Sequence, residues 1–153
     1  MFSAGSRFAL EMDYRGEVWK TDKYGGPAYP WEVERVQAGA GREIAVAIGI
    51  LKDIRREVAQ FLENEGRAGE LRLVLRGREA LAGPAAANGA AAAAKDAIAL
   101  ELSGTGARVL HLFVAGPAPL ALFLGHRLNA LGQVQCYEWR GPGEYSPSSR
   151  FES

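Results

Sequence analysis

The chain has 153 residues, and its 18 Lys plus Arg balance 18 Asp plus Glu. Hydrophobic residues make 48% of it and charged residues 24%, the profile of one globular domain, residues 1–153, with a core of its own. Neutrality argues against a broad polyanion-binding surface, but not against a small anionic ligand held by a few local donors.

Residues 8–15 alternate, with Phe8, Leu10, Met12 and Tyr14 on one side and Ala9, Glu11, Asp13 and Arg15 on the other. This period of two predicts a strand with one wet face, which Val18-Trp19 continue after the break at Gly16. Residues 21–30 are rich in Gly, Pro and charge and read as a loop. Residues 31–36 read as a short helical turn, and residues 37–42, with Gly39 and Gly41, as a connector.

The pattern then changes period repeatedly. Residues 43–51 (EIAVAIGIL) are almost wholly apolar, as in a strand covered on both faces. Asp53 caps a helix whose stripe is Ile54, Val58, Phe61 and Leu62. Residues 71–75 (LRLVL) are a second strand. Gly83-Pro84 is a break, and residues 90–102 form an Ala-rich helix with Ala94, Ile98 and Leu102 on its buried line. Residues 108–114 (RVLHLFV) are a third strand. Pro117-Ala118-Pro119 opens a third helix, with Leu120, Leu124, Leu128 and Leu131 as its apolar line and Gly132 as its stop. Residues 134–139 (VQCYEW) are a fourth strand. Residues 140–153 read as a Gly/Pro/Ser-rich tail with room for one short strand. Strands alternating with helices imply a Rossmann-like α/β domain. Its sheet is mostly parallel, with right-handed crossovers, helices on both faces and an N-terminal strand or hairpin added at an edge.

One cysteine, Cys136, excludes an internal disulfide framework and a multi-thiolate zinc site. With His111 and His126 the only histidines, no metal centre is expected. No apolar run reaches the ~20 residues of a membrane span, and the start lacks a signal-peptide core. The expected compartment is the cytoplasm.

In such sheets ligands bind beyond the carboxyl ends of the strands, where strand order reverses. Pairing of the first core strand with the third places Lys52-Asp53 beside residues 115–119. Gly116 lets a backbone approach a ligand. The helix start at Pro117 and Ala118 suits phosphate, although Pro117 and Pro119 lack N–H donors. A plain strand-to-helix turn explains the same residues. No GxGxxG or Walker pattern is present, so no dinucleotide or nucleoside triphosphate cofactor is expected. Lys52 reads as a phosphate partner or a solvated lysine, and Asp53 as a sugar-hydroxyl acceptor or a helix cap. Arg76 and Arg78 read as phosphate contacts or as a charged loop. Tyr137, Trp139 and Tyr145 are candidates for base stacking, with Tyr137 equally suited to sheet packing. His111, inside an apolar strand, reads as a satisfied core histidine, and His126 as a surface residue. Glu138 reads as an adenine contact or a structural acceptor. No Ser/His/Asp grouping exists, so no catalytic residues are assigned.

Three pieces carry a family resemblance: residues 111–117 (HLFVAGP), 120–129 (LALFLGHRLN) and 134–139 (VQCYEW). In that order they resemble the SAVED domain, a relative of the CARF fold. Residues 43–51 followed by Asp53 and a helix look like that family's earlier strand–helix unit. The resemblance runs from about Trp31 to Tyr145. It implies a sensor of a cyclic oligonucleotide, foremost cyclic oligoadenylate, in anti-phage defence of the CBASS type or linked to type III CRISPR. It also implies assembly on ligand binding, through self-association or a second SAVED/CARF-like unit, and an effector that this chain does not show. Lys52, Asp53, Gly116, Pro117, Ala118, Trp139 and Tyr145 are then the expected ligand contacts. One Rossmann-like unit is traceable where the family typically has two. The chain reads either as an excised domain or as a small subunit that needs a partner. Two rival readings remain, an assembly subunit without a ligand and an enzyme that cleaves cyclic nucleotides.

Overall fold

The computed structural model describes residues 11–20, 28–36, 41–128 and 131–152. The element order is β1 (Glu11–Tyr14), β2 (Glu17–Lys20), β3 (Glu32–Arg35), β4 (Glu43–Ile50), α1 (Arg55–Asn64), β5 (Leu71–Gly77), α2 (Pro84–Thr105), β6 (Val109–Ala115), α3 (Ala118–Arg127), β7 (Gln133–Gly141) and β8 (Glu144–Glu152). A short 3₁₀ turn, Ala68–Glu70, precedes β5. The main sheet has the order β3-β5-β4-β6-β7-β8. Its four inner strands are parallel, and β3 and β8 close the edges antiparallel.

Parity along β4 divides the core. Ile44, Val46, Ile48 and Ile50 face α2 and α3, whereas Ala45 and Ala47 face α1. All but Glu43 of this strand are buried, which is why its sequence shows no polar alternation. On α2, Ala87, Ala90, Ala91 and Ala94 are fully buried, and their small side chains let the helix lie close to the sheet. The α1 face is aromatic. Phe113 stacks on Tyr137 with centroids 4.3 Å apart, and Phe61 meets Phe113, Tyr137 and Tyr145 edge-on.

The chain leaves β4 through a sharp reversal. A Cβ on Gly49 would stand 2.0 Å from the Lys52 carbonyl oxygen, so only glycine fits there. Leu51 follows with φ +60°. The next strands lie on opposite sides of β4, so order reverses between β4 and β6. The expected β4–β6 pairing is present and brings Gly49 opposite Ala115.

Several expectations need correction. Residues 31–36 hold strand β3, not a helical turn, because β5 offers an open edge and the Glu34 carboxylate meets Arg76 of β5. The N-terminal hairpin exists as β1 and β2, but as a separate two-stranded sheet instead of an edge of the main one. Trp19 anchors it in the α2–α3 side of the core, and Asn88 of α2 donates to the Lys20 carbonyl at 3.1 Å. Phe8, Leu10 and residues 21–27, 37–40 and 153 lie outside the described residues. Helix α2 starts at Pro84, well before residue 90, since proline suits a first turn. Helix α3 ends at Arg127, short of Gly132, which instead lies against the Arg108 carbonyl at φ +92°. Residues 140–153 are no tail. They hold the end of β7 and the whole of β8, whose Pro147 is tolerated because β8 is an edge strand.

Gly49→Ala is expected to destabilise the fold by about 3 kcal/mol, since backbone must move to admit the methyl group. Urea unfolding measures this.

Candidate ligand-binding site

Three depressions adjoin the C-terminal edge of the sheet, each within the ~300–1,000 Å³ range of small-molecule sites. The first, about 560 Å³, is lined by Tyr14, Arg15 and Trp19 of the hairpin, by Ile50 and Leu51, and by Gly116 and Pro117. The second, about 330 Å³, is lined by Leu51, Lys52, Asp53, Arg76, Gly77 and Arg78. Leu51 is common to both. The third is an apolar groove of about 780 Å³ that includes Ala118 and Trp139.

Charges at this edge are mostly neutralised. Arg76 donates to Asp53 at 2.8 Å and to Glu34 at 2.7 Å, and Arg55 reaches Glu34 at 2.9 Å. Arg78 pairs with Glu32. Asp53 also accepts the Arg55 backbone N–H at 3.0 Å, so its carboxylate holds the start of α1. That bond, then Arg76, lowers its pKa from the usual value. Two cations differ. The Lys52 ammonium lies 5.1 Å from the Trp139 ring centroid, a cation–π contact, and the Arg15 guanidinium lies 5.3 Å from that of Tyr14. Neither has an ion-pair partner at salt-bridge distance among the described residues.

Glu57, on α1, organises the other wall. It accepts from the Trp139 indole at 2.8 Å, the Gly143 backbone N–H at 2.9 Å and the Tyr145 hydroxyl at 3.3 Å. Burial pushes its carboxyl up, but the Gly143 and Trp139 hydrogen bonds and the nearby Lys52 charge outweigh it, leaving the pKa lowered. Sequence reading missed Glu57, because a glutamate outside a helix's apolar stripe looks like any solvated residue. It also missed Arg15, Tyr14 and Leu51, which become neighbours of Gly116 only through the hairpin's placement and the β4 reversal.

The expected contacts therefore separate. Lys52 and Trp139 are brought together, and Trp139 is half exposed. Gly116 and Pro117 line the hairpin depression, whereas Ala118 lines the apolar groove. Tyr145 is buried at 8% exposure against Phe61 and Phe113, so it offers no open face for stacking. Desolvation, then the Glu57 charge, push its hydroxyl pKa up. At the start of α3, Pro119 lacks an N–H and Leu120 gives its own to the Pro117 carbonyl at 3.0 Å. Few helix-end donors are left for phosphate. Glu138 is exposed and pairs with Arg140 at 3.4 Å.

His111 is a partnered core residue. Its Nε2 lies 2.6 Å from Glu43, and its Nδ1 lies 2.7 Å from the Tyr137 hydroxyl, which accepts from Arg67 at 3.2 Å. One donor set fits throughout: Arg67 to Tyr137, Tyr137 to Nδ1, Nε2–H to Glu43. Donor atoms of Glu43, Glu70 and His111 lie within 4.8 Å of one another, a spacing open to a metal. The Arg67 guanidinium, however, lies 2.9 Å from Glu70, and the chain of bonds accounts for the cluster as an internal network.

Comparison with known proteins decides the family. The profile of the SAVED family, the "SMODS-associated and fused to various effectors sensor domain", matches residues 1–151. The chain belongs to the SAVED family. It is 32% identical over 153 residues to CD-NTase-associated protein 4 of Acinetobacter sp. (strain ATCC 27244 / 9458), covering 99% of this chain and 32% of that protein. A second CD-NTase-associated protein 4, from Moraxella osloensis, is 27% identical over 157 residues, covering 99% of the chain and 32% of that protein. The Acinetobacter baumannii Cap4 SAVED/CARF-domain receptor bound to the cyclic trinucleotide 2′3′3′-cAAA superposes with a TM-score of 0.82 at 29% identity, covering 94% of this chain and 32% of that one. Its complex with 3′3′3′-cAAA gives 0.80 at 28% identity, with the same coverage. The SAVED chain thus spans about a third of the length of these relatives. Among its described residues, no helix is long and apolar enough to cross a membrane.

Two outcomes are expected. Because the folded Glu57 pKa lies below the ordinary 4.5, its contribution is complete above that value and is lost as pH falls through the lower folded value. Indole fluorescence should report release of Trp139 over that acid range, and Glu57→Gln should flatten the change while costing about 1–2 kcal/mol at neutral pH. Tyr137→Phe, which strips His111 and Arg67 of a partner, should cost about 1–3 kcal/mol by thermal unfolding.

Proposed function

We propose that this chain is a ligand-sensing unit for a cyclic oligonucleotide second messenger, foremost a cyclic oligoadenylate, in anti-phage defence of the CBASS type. The observation that carries the reading is the pairing of Lys52 with the half-exposed Trp139 at the strand-order switch of a SAVED domain. The likeness to receptors solved with cyclic triadenylates supports it.

In this reading Trp139 stacks on a base and Lys52 neutralises a phosphate. Gly116 and Pro117 form the floor of the hairpin side, and Arg15 supplies a second cation there. Asp53 and Tyr145 act from behind, Asp53 by fixing the start of α1 and Tyr145 through Glu57. Ala118 borders the site from the groove. The depressions open at the sheet edge, so a second SAVED/CARF-like unit, or a second copy of this chain, closes over the ligand and transmits binding to an effector. No step of bond breaking is assigned to any residue.

Calorimetric titration with cyclic di-, tri- and tetra-adenylates tests the reading. Saturable binding of at least one ring is expected, weakened about tenfold by Trp139→Ala, in line with the ~1–3 kcal/mol of a base–aromatic stack. Lack of binding by every ring overturns it. Linear products after prolonged incubation transfer the case to a cleaving enzyme.

A further inference from the structure

Leu51 holds a position whose backbone and surroundings both favour another residue. Its φ of +60° lies in the left-handed region, which glycine and asparagine enter readily and bulky side chains enter at a cost. The fold demands that conformation. Leu51 donates its N–H to the Gly77 carbonyl at 2.7 Å, and the chain reverses so tightly that the Lys52 carbonyl excludes any Cβ on Gly49. A leucine is thus conformationally unfavourable there.

Packing among the described residues does not justify it either. Leu51 is 65% exposed, more than Leu100, Val18, Val33 or Trp139, the other large apolar side chains left open among the described residues. Arg15 is the other non-glycine residue with positive φ among those described, but it sits at the tip of the β1–β2 hairpin, where the turn itself asks for that conformation. At Leu51 the tight exit from β4 accounts for the backbone but not for the choice of leucine. Its position is central: it lines both the hairpin depression and the Lys52 depression, standing as a ridge between them. Strain held at a binding site, with the side chain in solvent, is the pattern of a residue kept for what binds to it.

We propose that Leu51 is an apolar ligand contact, the ridge against which a base of a cyclic adenine oligonucleotide packs while its phosphates reach Lys52 on one side and Arg15 on the other. The proposal rests on the sensor reading given above. Burial of the exposed leucine by the ligand then supplies affinity that neither cation provides, and sets a preference for ligands with a broad apolar face over bare phosphates.

Leu51→Gly and Leu51→Asn separate this role from a structural one, because both residues accept the backbone conformation and neither keeps the apolar surface. Thermal unfolding and titration with 2′3′3′-cAAA and 3′3′3′-cAAA are read on the whole chain. The expected result is an unfolding temperature unchanged or raised in Leu51→Asn, with binding about tenfold weaker in both variants, the loss expected for one leucine side chain. Leu51→Met, which keeps the apolar surface, is expected to bind within about twofold of the wild type. Wild-type binding with undiminished affinity in both variants overturns the Leu51 assignment and leaves the sensor reading in place. A marked fall in unfolding temperature in Leu51→Asn overturns it too, since the side chain then serves packing. Failure of the wild type to bind either ring removes the sensor reading and this assignment with it.

Discussion

Strand β4 lies between two parallel neighbours and under helices on both faces, so its chain has to leave over the C-terminal edge within very little space. Gly49 makes that exit possible, since the Lys52 carbonyl occupies the volume a side chain would need. Much of the candidate site follows from this one reversal. It sets Leu51 on the ridge between two depressions and carries Lys52 to the face of Trp139. It also places Asp53 where its carboxylate can take the first N–H of α1. Helix α1 then begins at a fixed point, which puts Glu57 under the β7–β8 turn.

Glu57 and Asn88 each join separate elements near this edge. Glu57 draws Trp139, Gly143 and Tyr145 onto α1, so the far end of the sheet is tied to the helix that leaves its centre. Asn88 is almost fully buried in α2. It donates to the carbonyls of Lys20 and Pro84, fastening the hairpin to the helix. A buried amide left without acceptors is costly, so the hairpin is held in place by satisfaction of Asn88 as well as by burial of Trp19.

The sheet itself was legible because its signal is local. EIAVAIGIL, LRLVL and RVLHLFV are apolar runs separated by helical stripes, and parallel pairing follows from the alternation. The edges were not legible. Glu32–Arg35 has no apolar pattern, because an edge strand facing water is held by backbone pairing and by ion pairs from Glu32 and Glu34. Strand β8 was hidden by Pro147 and its serines, which interior strands reject and edge strands accept. At the site, Lys52 and Trp139 could be placed at strand ends by counting, and topology brought them together. Glu57, Arg15 and Leu51 could not be reached that way. Their significance depends on a carboxylate's three donors, a hairpin's docking and a dihedral angle, none of which leaves a trace in spacing.

The chain's balance of charge extends to this edge of the sheet in detail. Arg55, Arg76 and Arg78 all stand close to it, yet each is committed to Glu34, Asp53 or Glu32. The start of α3, a helix end beside the site, has a proline without an N–H and a leucine whose N–H is already used. Electrostatic capacity at the edge is therefore small and rests on Lys52 and Arg15. A ligand with many phosphates would meet carboxylates beside Arg55, Arg76 and Arg78. In the proposed reading, a ligand with a few phosphates and large planar bases would meet Trp139, Leu51 and two cations, so its binding would draw more on desolvated surface than on charge. By the same physics, affinity should respond less steeply to salt than that of a protein reading an extended nucleic acid.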